Sequence, residues 1–160
     1  MKLTSSRIFV TALTLLAACG GDGGNGGADI DSPCDLTDAE QVQTLFGGTV
    51  AEGAEGDLNN CDFDIEGGLA PVVTVFEYGS ADGWDGTRQG YVDNRNGVTD
   101  VDNLGDAAFF PNDVGAREMV VQAGGLVFSV TVFTGFDEPT EDVINAVADL
   151  SAGIAEQLGS

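Results

Sequence analysis

Cys19 is the residue whose surroundings specify a chemical reaction most clearly. It ends the segment Leu16-Ala17-Ala18-Cys19, which follows an apolar run and the basic residues Lys2 and Arg7. A basic start, an apolar core and small residues before a cleavage site are typical of a secretory signal peptide. A Cys directly after that site is the pattern of a bacterial lipobox. We therefore expect Cys19 to be the lipidated first residue of the mature chain, with a diacylglyceryl group on its thiol and palmitate as a further acyl chain.

The alternative is an ordinary signal peptide, cut after Ala18, in which Cys19 has no special role. The apolar run is shorter than the roughly 20 residues that a transmembrane helix requires, and the Gly-rich stretch after Cys19 is typical of a flexible tether. The sequence thus predicts a signal peptide over 1–18, a tether over 19–32 and one domain over 33–160. Its predicted location is the extracytoplasmic face of the cell membrane, to which the lipid anchors it.

The two remaining cysteines, Cys34 and Cys61, suit such a location. In an oxidising compartment we expect them to form a disulfide, which would stabilise the fold by roughly 3 to 4 kcal/mol through loop closure. They are far apart in sequence and do not form a Cys-x-x-Cys motif, which favours a structural over a redox role. The alternative is a pair of free, buried thiols.

The chain lacks most of the side chains on which enzymes depend. It contains no His, and its one Lys lies in the predicted signal peptide. This composition excludes Ser-His-Asp and Cys-His arrangements, Schiff-base lysines and His-containing zinc sites in the mature domain. We therefore expect a protein that is not an enzyme. The less favoured alternative is a hydrolase that uses carboxylates alone, which needs two nearby acids with opposed pKa values.

The net charge is extreme, at −22 for the full chain. Beyond the predicted signal peptide only Arg88, Arg95 and Arg117 oppose 27 acidic residues. Nucleic acids and anionic membrane surfaces both require a positive patch, so neither is an expected partner. Two interpretations stay open: a solvated surface adapted to salty surroundings, and a surface that binds a cation or a basic envelope protein.

One acidic cluster has the oxygen ligands that Ca²⁺ prefers, namely Asp100, Asp102 and Asp106. It does not match the EF-hand loop, so at most a weak Ca²⁺ site is predicted, and no other cofactor is expected. The alternative is a polar turn in which Asn103 and Asp106 bond to nearby backbone.

Two aromatic residues, Trp84 and Tyr91, lie in a segment with helical spacing that three glycines weaken. They are candidates for the rim of a groove that takes an apolar or sugar ligand. The alternative is that both belong to the core.

The elements that must position these residues follow from apolar spacing and turn residues. Thr37 and Glu40 form the pattern of a capping box at the start of a helix, and Thr140 is the expected N-cap of the last helix. The remaining predicted elements are strands over 61–66, 71–78, 107–110, 117–123 and 126–134, and a helix around 84–92.

The resulting order is α-β-β-α-(β)-β-β-α. Hairpins imply antiparallel pairing, and helices with one apolar stripe are expected to cover one face of the sheet. The predicted fold is therefore α+β, with an antiparallel sheet of about four to five strands, two to three helices and one disulfide.

Several short motifs occur here in a characteristic order. After the lipobox come Pro33-Cys34-Asp35-Leu36-Thr37, Leu45-Phe46-Gly47, Cys61-Asp62-Phe63 and Leu104-Gly105-Asp106-Ala107-Ala108. The chain resembles actinobacterial surface lipoproteins of unknown function and, more distantly, the extracellular sensor domains of mycobacterial serine/threonine kinases. The chain departs from the usual motifs of these families at two positions: Phe63 stands where Trp is usual, and Asn103 stands where Gly is usual.

The resemblance implies a disulfide-containing sensor-like domain outside the cytoplasmic membrane and supplies no catalytic residues. Together with the composition, it leads us to expect a non-enzymatic, lipid-anchored surface protein that binds a small ligand or an envelope protein. The alternative is an acidic interaction module for a basic envelope partner.

Overall fold

The computed structural model of the protein describes residues 30–67, 70–75, 83–112, 116–134 and 138–159. Cys19 and the predicted signal peptide lie outside these residues. None of the helices within them is long and apolar enough to cross a membrane. In chain order the elements are a 3₁₀ helix (Pro33–Leu36), α1 (Ala39–Phe46), β1 (Ala54–Gly56), β2 (Asn60–Asp62), β3 (Ala70–Val75), α2 (Trp84–Asn94), β4 (Val98–Val101), β5 (Ala107–Pro111), β6 (Ala116–Ala123), β7 (Leu126–Phe133) and α3 (Glu141–Gln157).

One antiparallel sheet contains all the strands of this part of the chain, in the order β1-β2-β3-β7-β6-β5-β4. The β6–β7 hairpin lies near its centre. Gly124 and Gly125 form the turn with φ of 55° and 80°, and glycine accepts the positive φ values that tight hairpin turns require. The hairpin and the α+β class are confirmed.

The predicted number of four to five strands is wrong, because the sheet has seven. The two strands that the prediction lacks, β1 and β4, are the two edges of the sheet. β1 has only three residues, and the central residues of β4, Thr99 and Asp100, are exposed. Edge strands are often short and polar, so neither one has the apolar alternation by which a strand is detected in sequence.

The sheet is covered on both faces. Met119 and Val121 of β6 belong to the main core together with the apolar stripe of α3. The intervening Val120 belongs to a second cluster that packs under Trp84 and Tyr91 of α2. Because successive strand residues point to opposite faces, α3 and α2 lie on opposite sides of the sheet. The expectation that the helices share one face is wrong for α2.

Helix α1 begins one residue later than the predicted capping box. Asp38 is the N-cap: its Oδ1 accepts from the Gln41 N–H at 2.8 Å, and Gln41 Oε1 accepts in return from the Asp38 N–H. The box therefore uses Asp38 and Gln41 in place of Thr37 and Glu40. Thr37 is buried in extended conformation, and its hydroxyl donates to Gln41 Oε1 at 2.9 Å.

The predicted disulfide is confirmed. Cys34 in the 3₁₀ helix is bonded to Cys61 in β2, across a sequence separation of 27 residues. Cys61 is fully buried beside Phe63. The chain passes so close at Gly53 that a Cβ there would lie 2.5 Å from the Cys61 sulfur. The bond therefore lies inside the core and joins the 3₁₀ helix to the sheet.

Removal of the bond by Cys34→Ala and Cys61→Ala should lower the free energy of unfolding by roughly 3.5 kcal/mol, the loop-closure value for a loop of about 27 residues. Urea unfolding followed by the fluorescence of Trp84, the single Trp, measures the change. Cys19→Ala is the matched control and should leave the midpoint unchanged. A double variant within about 1 kcal/mol of the parent would contradict loop closure as the source of stability.

Candidate functional site

A groove of about 430 Å³ runs between α1 and α3, and we refer to it as the α1–α3 groove. Its apolar lining comes from Leu45 of α1 and from Leu150 and Ile154 of α3. Carboxylates stand around this lining, at Asp38 and Glu40 on the α1 side and at Asp149 on the α3 side. Leu45 is half-buried, whereas Leu150 and Ile154 are only 3% and 1% exposed. The groove therefore offers little apolar surface and is bordered mainly by acidic and polar side chains.

The sequence of α3 explains why the groove is open. Thr140 caps the helix as predicted, with its hydroxyl accepting from the Val143 N–H. One stripe of the helix, including Leu150 and Ile154, is buried in the main core. Gly153 lies beside this stripe and also lines the groove. A Cβ at Gly153 would meet no atom within 4 Å, so the missing side chain leaves a gap.

The groove has no basic residue of its own, because neither α1 nor α3 contains Lys or Arg. Asp142, Asp149 and Glu156 are all exposed on α3. Their spacing of seven residues places them along one line of the helix at intervals of about 10.5 Å. Like charges in a row, without cations among them, create a negative potential along the surface.

Two arginines, Arg88 and Arg95, have partners on the other side of the sheet. Arg88 in α2 donates to both carboxylate oxygens of Asp100, with an Nη2–Oδ1 distance of 2.9 Å. The Arg95 guanidinium lies 5.9 Å from the centre of the Tyr91 ring. Both belong to the side of the sheet that α2 covers, so they do not offset the acidic rim of the α1–α3 groove.

Trp84 and Tyr91 do not come together around one groove. Each ring packs against the buried Phe109 with a centroid distance of 5.3 Å, and each borders a different surface depression. The Tyr91 hydroxyl also donates to Glu118 Oε1 at 2.6 Å. These contacts favour a packing role, and a ligand groove at these two residues stays a prediction.

The acidic cluster lies around the depression that Trp84 borders, which has a volume of about 280 Å³. The carboxylate of Asp100 is bound by Arg88, and the Asp106 N–H donates to the Gln122 carbonyl at 2.8 Å. Asn103 has a φ of 61° in the turn. Among the residues that the structure describes, no group of three or more Cys, Asp or Glu side chains could hold a metal ion. The weak Ca²⁺ site at Asp100, Asp102 and Asp106 stays a prediction without structural support.

Sequence reasoning missed the α1–α3 groove. Two signals were present in α3, a Gly inside an otherwise favourable helix and acidic residues at a spacing of seven. Neither signal identifies the element on the other side of the groove, which depends on how α1 packs against α3.

No protein-family model matches the chain, and no curated protein or solved structure matches it either. The resemblance to actinobacterial surface lipoproteins therefore depends on the short motifs alone.

Tyr91→Phe should lower the free energy of unfolding by about 1 to 2 kcal/mol, because it removes a donor to a partly buried carboxylate. Helix α2 has no side-chain cap and depends on its contacts with the sheet. We therefore expect its amides to exchange faster in the variant than in the parent protein. Urea unfolding and hydrogen exchange measure the two effects. Arg88→Gln, which breaks an exposed ion pair, is the control and should change stability by less than about 1 kcal/mol. Unchanged exchange in α2 would refute the role of this hydrogen bond.

Gly153→Ala should raise the free energy of unfolding by about 0.5 to 1 kcal/mol, because Ala is the better helix former and the site has room for a Cβ. Gly53→Ala is the opposite case, since its Cβ would collide with the Cys61 sulfur and the Phe63 ring, and it should destabilise the fold. Thermal unfolding checks both expectations: the melting temperature should rise for Gly153→Ala and fall for Gly53→Ala. Destabilisation by Gly153→Ala would mean that the gap is not open.

Proposed function

We propose that the mature chain is a lipid-anchored, non-enzymatic binding domain on the extracytoplasmic face of the cell membrane. The observation that carries the anchoring is the Cys34–Cys61 bond. The chain has three cysteines, so this bond leaves Cys19, in its lipobox, as the one thiol available for the diacylglyceryl group. Disulfides persist in oxidising compartments, which supports export of the domain.

The length of the tether sets the distance between the lipid anchor and the domain. Ile30 already packs against the main core. The stretch between Cys19 and Ile30 consists mainly of Gly, and a flexible Gly-rich segment of this length spans roughly 20 Å on average. The domain would therefore stand close to the membrane while its surfaces face outward.

The α1–α3 groove supports binding as the activity. It is a concave surface on which several polar and acidic side chains converge, and convergent polar groups in a cleft are a common feature of ligand sites. The chain has no His and no Lys beyond Lys2, which supports a role without catalysis. A hydrolase that uses carboxylates alone is the less supported alternative.

A second candidate is an acidic interaction module for a basic envelope partner. It is favoured by the absence of Lys and Arg from α1 and α3. The two candidates differ in their response to salt, because screening weakens binding between opposite surface charges and leaves burial of apolar surface almost unchanged.

Cys19→Ala should move the protein from the membrane fraction to the soluble fraction of the producing cell, because the acyl chains are the proposed anchor. Mass spectrometry of the native N-terminal peptide should find diacylglycerol and an amide-linked fatty acid on Cys19. The control is the Cys34→Ala and Cys61→Ala double variant, which should stay in the membrane fraction. An unmodified Cys19 thiol in the parent protein would refute the anchor.

A further inference from the structure

We infer that Asn96 is a site of spontaneous deamidation, in which the backbone nitrogen of Gly97 displaces the side-chain amide, and that this modification loosens helix α2. The site lies in the short turn, residues 95–97, that joins α2 to β4. The inference goes beyond the proposed binding function and does not depend on it.

The residue after Asn96 distinguishes it from comparable asparagines. Among the described residues Asn59, Asn96 and Asn103 adopt the left-handed conformation, with φ of 56°, 54° and 61°. Only Asn96 is followed by Gly. Because Gly has no side chain, its backbone can approach another group closely. The Gly97 nitrogen is therefore the least hindered of the three as a nucleophile toward the preceding side chain.

The Asn96 side chain is open to the reaction. It is exposed to solvent, and its amide forms no hydrogen bond with the residues that the structure describes. Water can therefore reach the amide carbon, and no contact within the described chain has to be broken before this side chain can rotate.

The backbone of the turn is held mainly by Asn112, which follows β5. Its N–H donates to the Gly97 carbonyl at 3.1 Å, and its Nδ2 donates to the Asn96 carbonyl at 3.3 Å. Ring closure requires rotation of the peptide unit between Asn96 and Gly97, which breaks the second of these bonds. That bond is longer than the usual range for N–H···O hydrogen bonds, so it resists the rotation only weakly.

Helix α2 adds little restraint to the turn. It has no side-chain cap and no buried residue, and it contacts the sheet mainly through Trp84 and Tyr91. Segments with few buried apolar contacts open locally at a lower free energy than the core. Each local opening of α2 leaves the turn free to rotate.

The reaction needs only water and a base. The base removes the proton of the Gly97 N–H, and the nitrogen attacks Cγ of Asn96. The new N–Cγ bond closes a succinimide ring, while the Cγ–Nδ2 bond breaks and the nitrogen leaves as ammonia after taking a proton from water. A second water molecule then opens the ring at either carbonyl carbon, which gives aspartate or isoaspartate.

The products loosen the link between α2 and the sheet. Both add a negative charge to a chain whose net charge is already −22, and self-repulsion destabilises a compact state. Isoaspartate also lengthens the main chain of the turn, which disturbs the positions that Asn112 holds. Because α2 packs over the buried Phe109 and Val120, its loosening exposes the second apolar cluster.

The test is peptide mapping by mass spectrometry of the full chain, kept in non-ionic detergent at mildly alkaline pH, with a fresh sample digested in parallel. We expect the mass increase of amide-to-acid conversion at Asn96. Asn59 and Asn103 are matched internal controls and should convert about tenfold more slowly, because a side chain on the next residue hinders the attack. Asn25-Gly26, the same dipeptide in the predicted tether, shows that the conditions permit the reaction.

Two variants test the control that the turn exerts. Asn112→Ala removes the side-chain bond to the Asn96 carbonyl and should raise the conversion rate about two- to tenfold, the range for loss of one hydrogen bond from an opening equilibrium. Arg88→Gln breaks an exposed ion pair of α2 and should leave the rate within about twofold.

Hydrogen exchange of the aged protein measures the loosening. Exchange should become faster in α2 than in the fresh protein and stay unchanged in α3. Asn96→Gln is the control for ageing itself, because its longer side chain closes a ring far less readily, and its α2 should exchange at the same rate before and after incubation.

Four results would overturn the inference. Conversion of Asn25 without conversion of Asn96 would mean that the turn is closed to the reaction. Equal rates at Asn96, Asn59 and Asn103 would mean that the following Gly does not select the site. An unchanged rate in Asn112→Ala would refute restraint by the turn, and unchanged exchange of α2 after conversion would refute its loosening.

Discussion

Burial of the β6–β7 hairpin on both faces is the constraint on which the rest of the fold depends. Val120 and Val121 are adjacent, point to opposite faces and are both completely buried, as are Val127 and Phe128 in the other strand. A strand with apolar residues on both faces needs cover on both. α3 therefore packs on one side and α2 on the other, and the surfaces that these helices present to solvent follow from that arrangement.

The two helices that cover the sheet differ in how firmly they pack on it. α3 has a capped N-terminus and a buried stripe that includes Val147, Leu150 and Ile154. α2 has no side-chain cap and no buried residue, and it contacts the sheet mainly through Trp84 and Tyr91. The aromatic residues of α2 are occupied in covering the sheet. The firmly packed α3, by contrast, can present a groove without loss of its own support.

The sequence predicts elements well where local chemistry decides them. Gly124-Gly125 requires a hairpin, and Thr140 ahead of two acidic residues requires a helix start. The alternation through Cys61, Phe63 and Ile65 is confirmed by the burial of all three residues. The predicted strand over 61–66 is too long, because β2 spans only Asn60–Asp62 and Ile65 forms an isolated bridge with Val50. The sequence does not predict β1 and β4, because edge strands are held by backbone hydrogen bonds that leave no apolar pattern. It does not predict the α1–α3 groove either, because a groove depends on the distance between two helices.

The distribution of charge on α3 is not explained by the stability of the helix. Glu141 and Asp142 lie in its first turn, where carboxylates interact favourably with the helix dipole. Glu156 lies in the last turn, where a carboxylate is unfavourable and no basic residue accompanies it. Within the described residues it has no basic partner on either helix of the groove. Its position continues the line of Asp142 and Asp149, so Glu156 extends the acidic surface of α3 at a small cost to the stability of the helix.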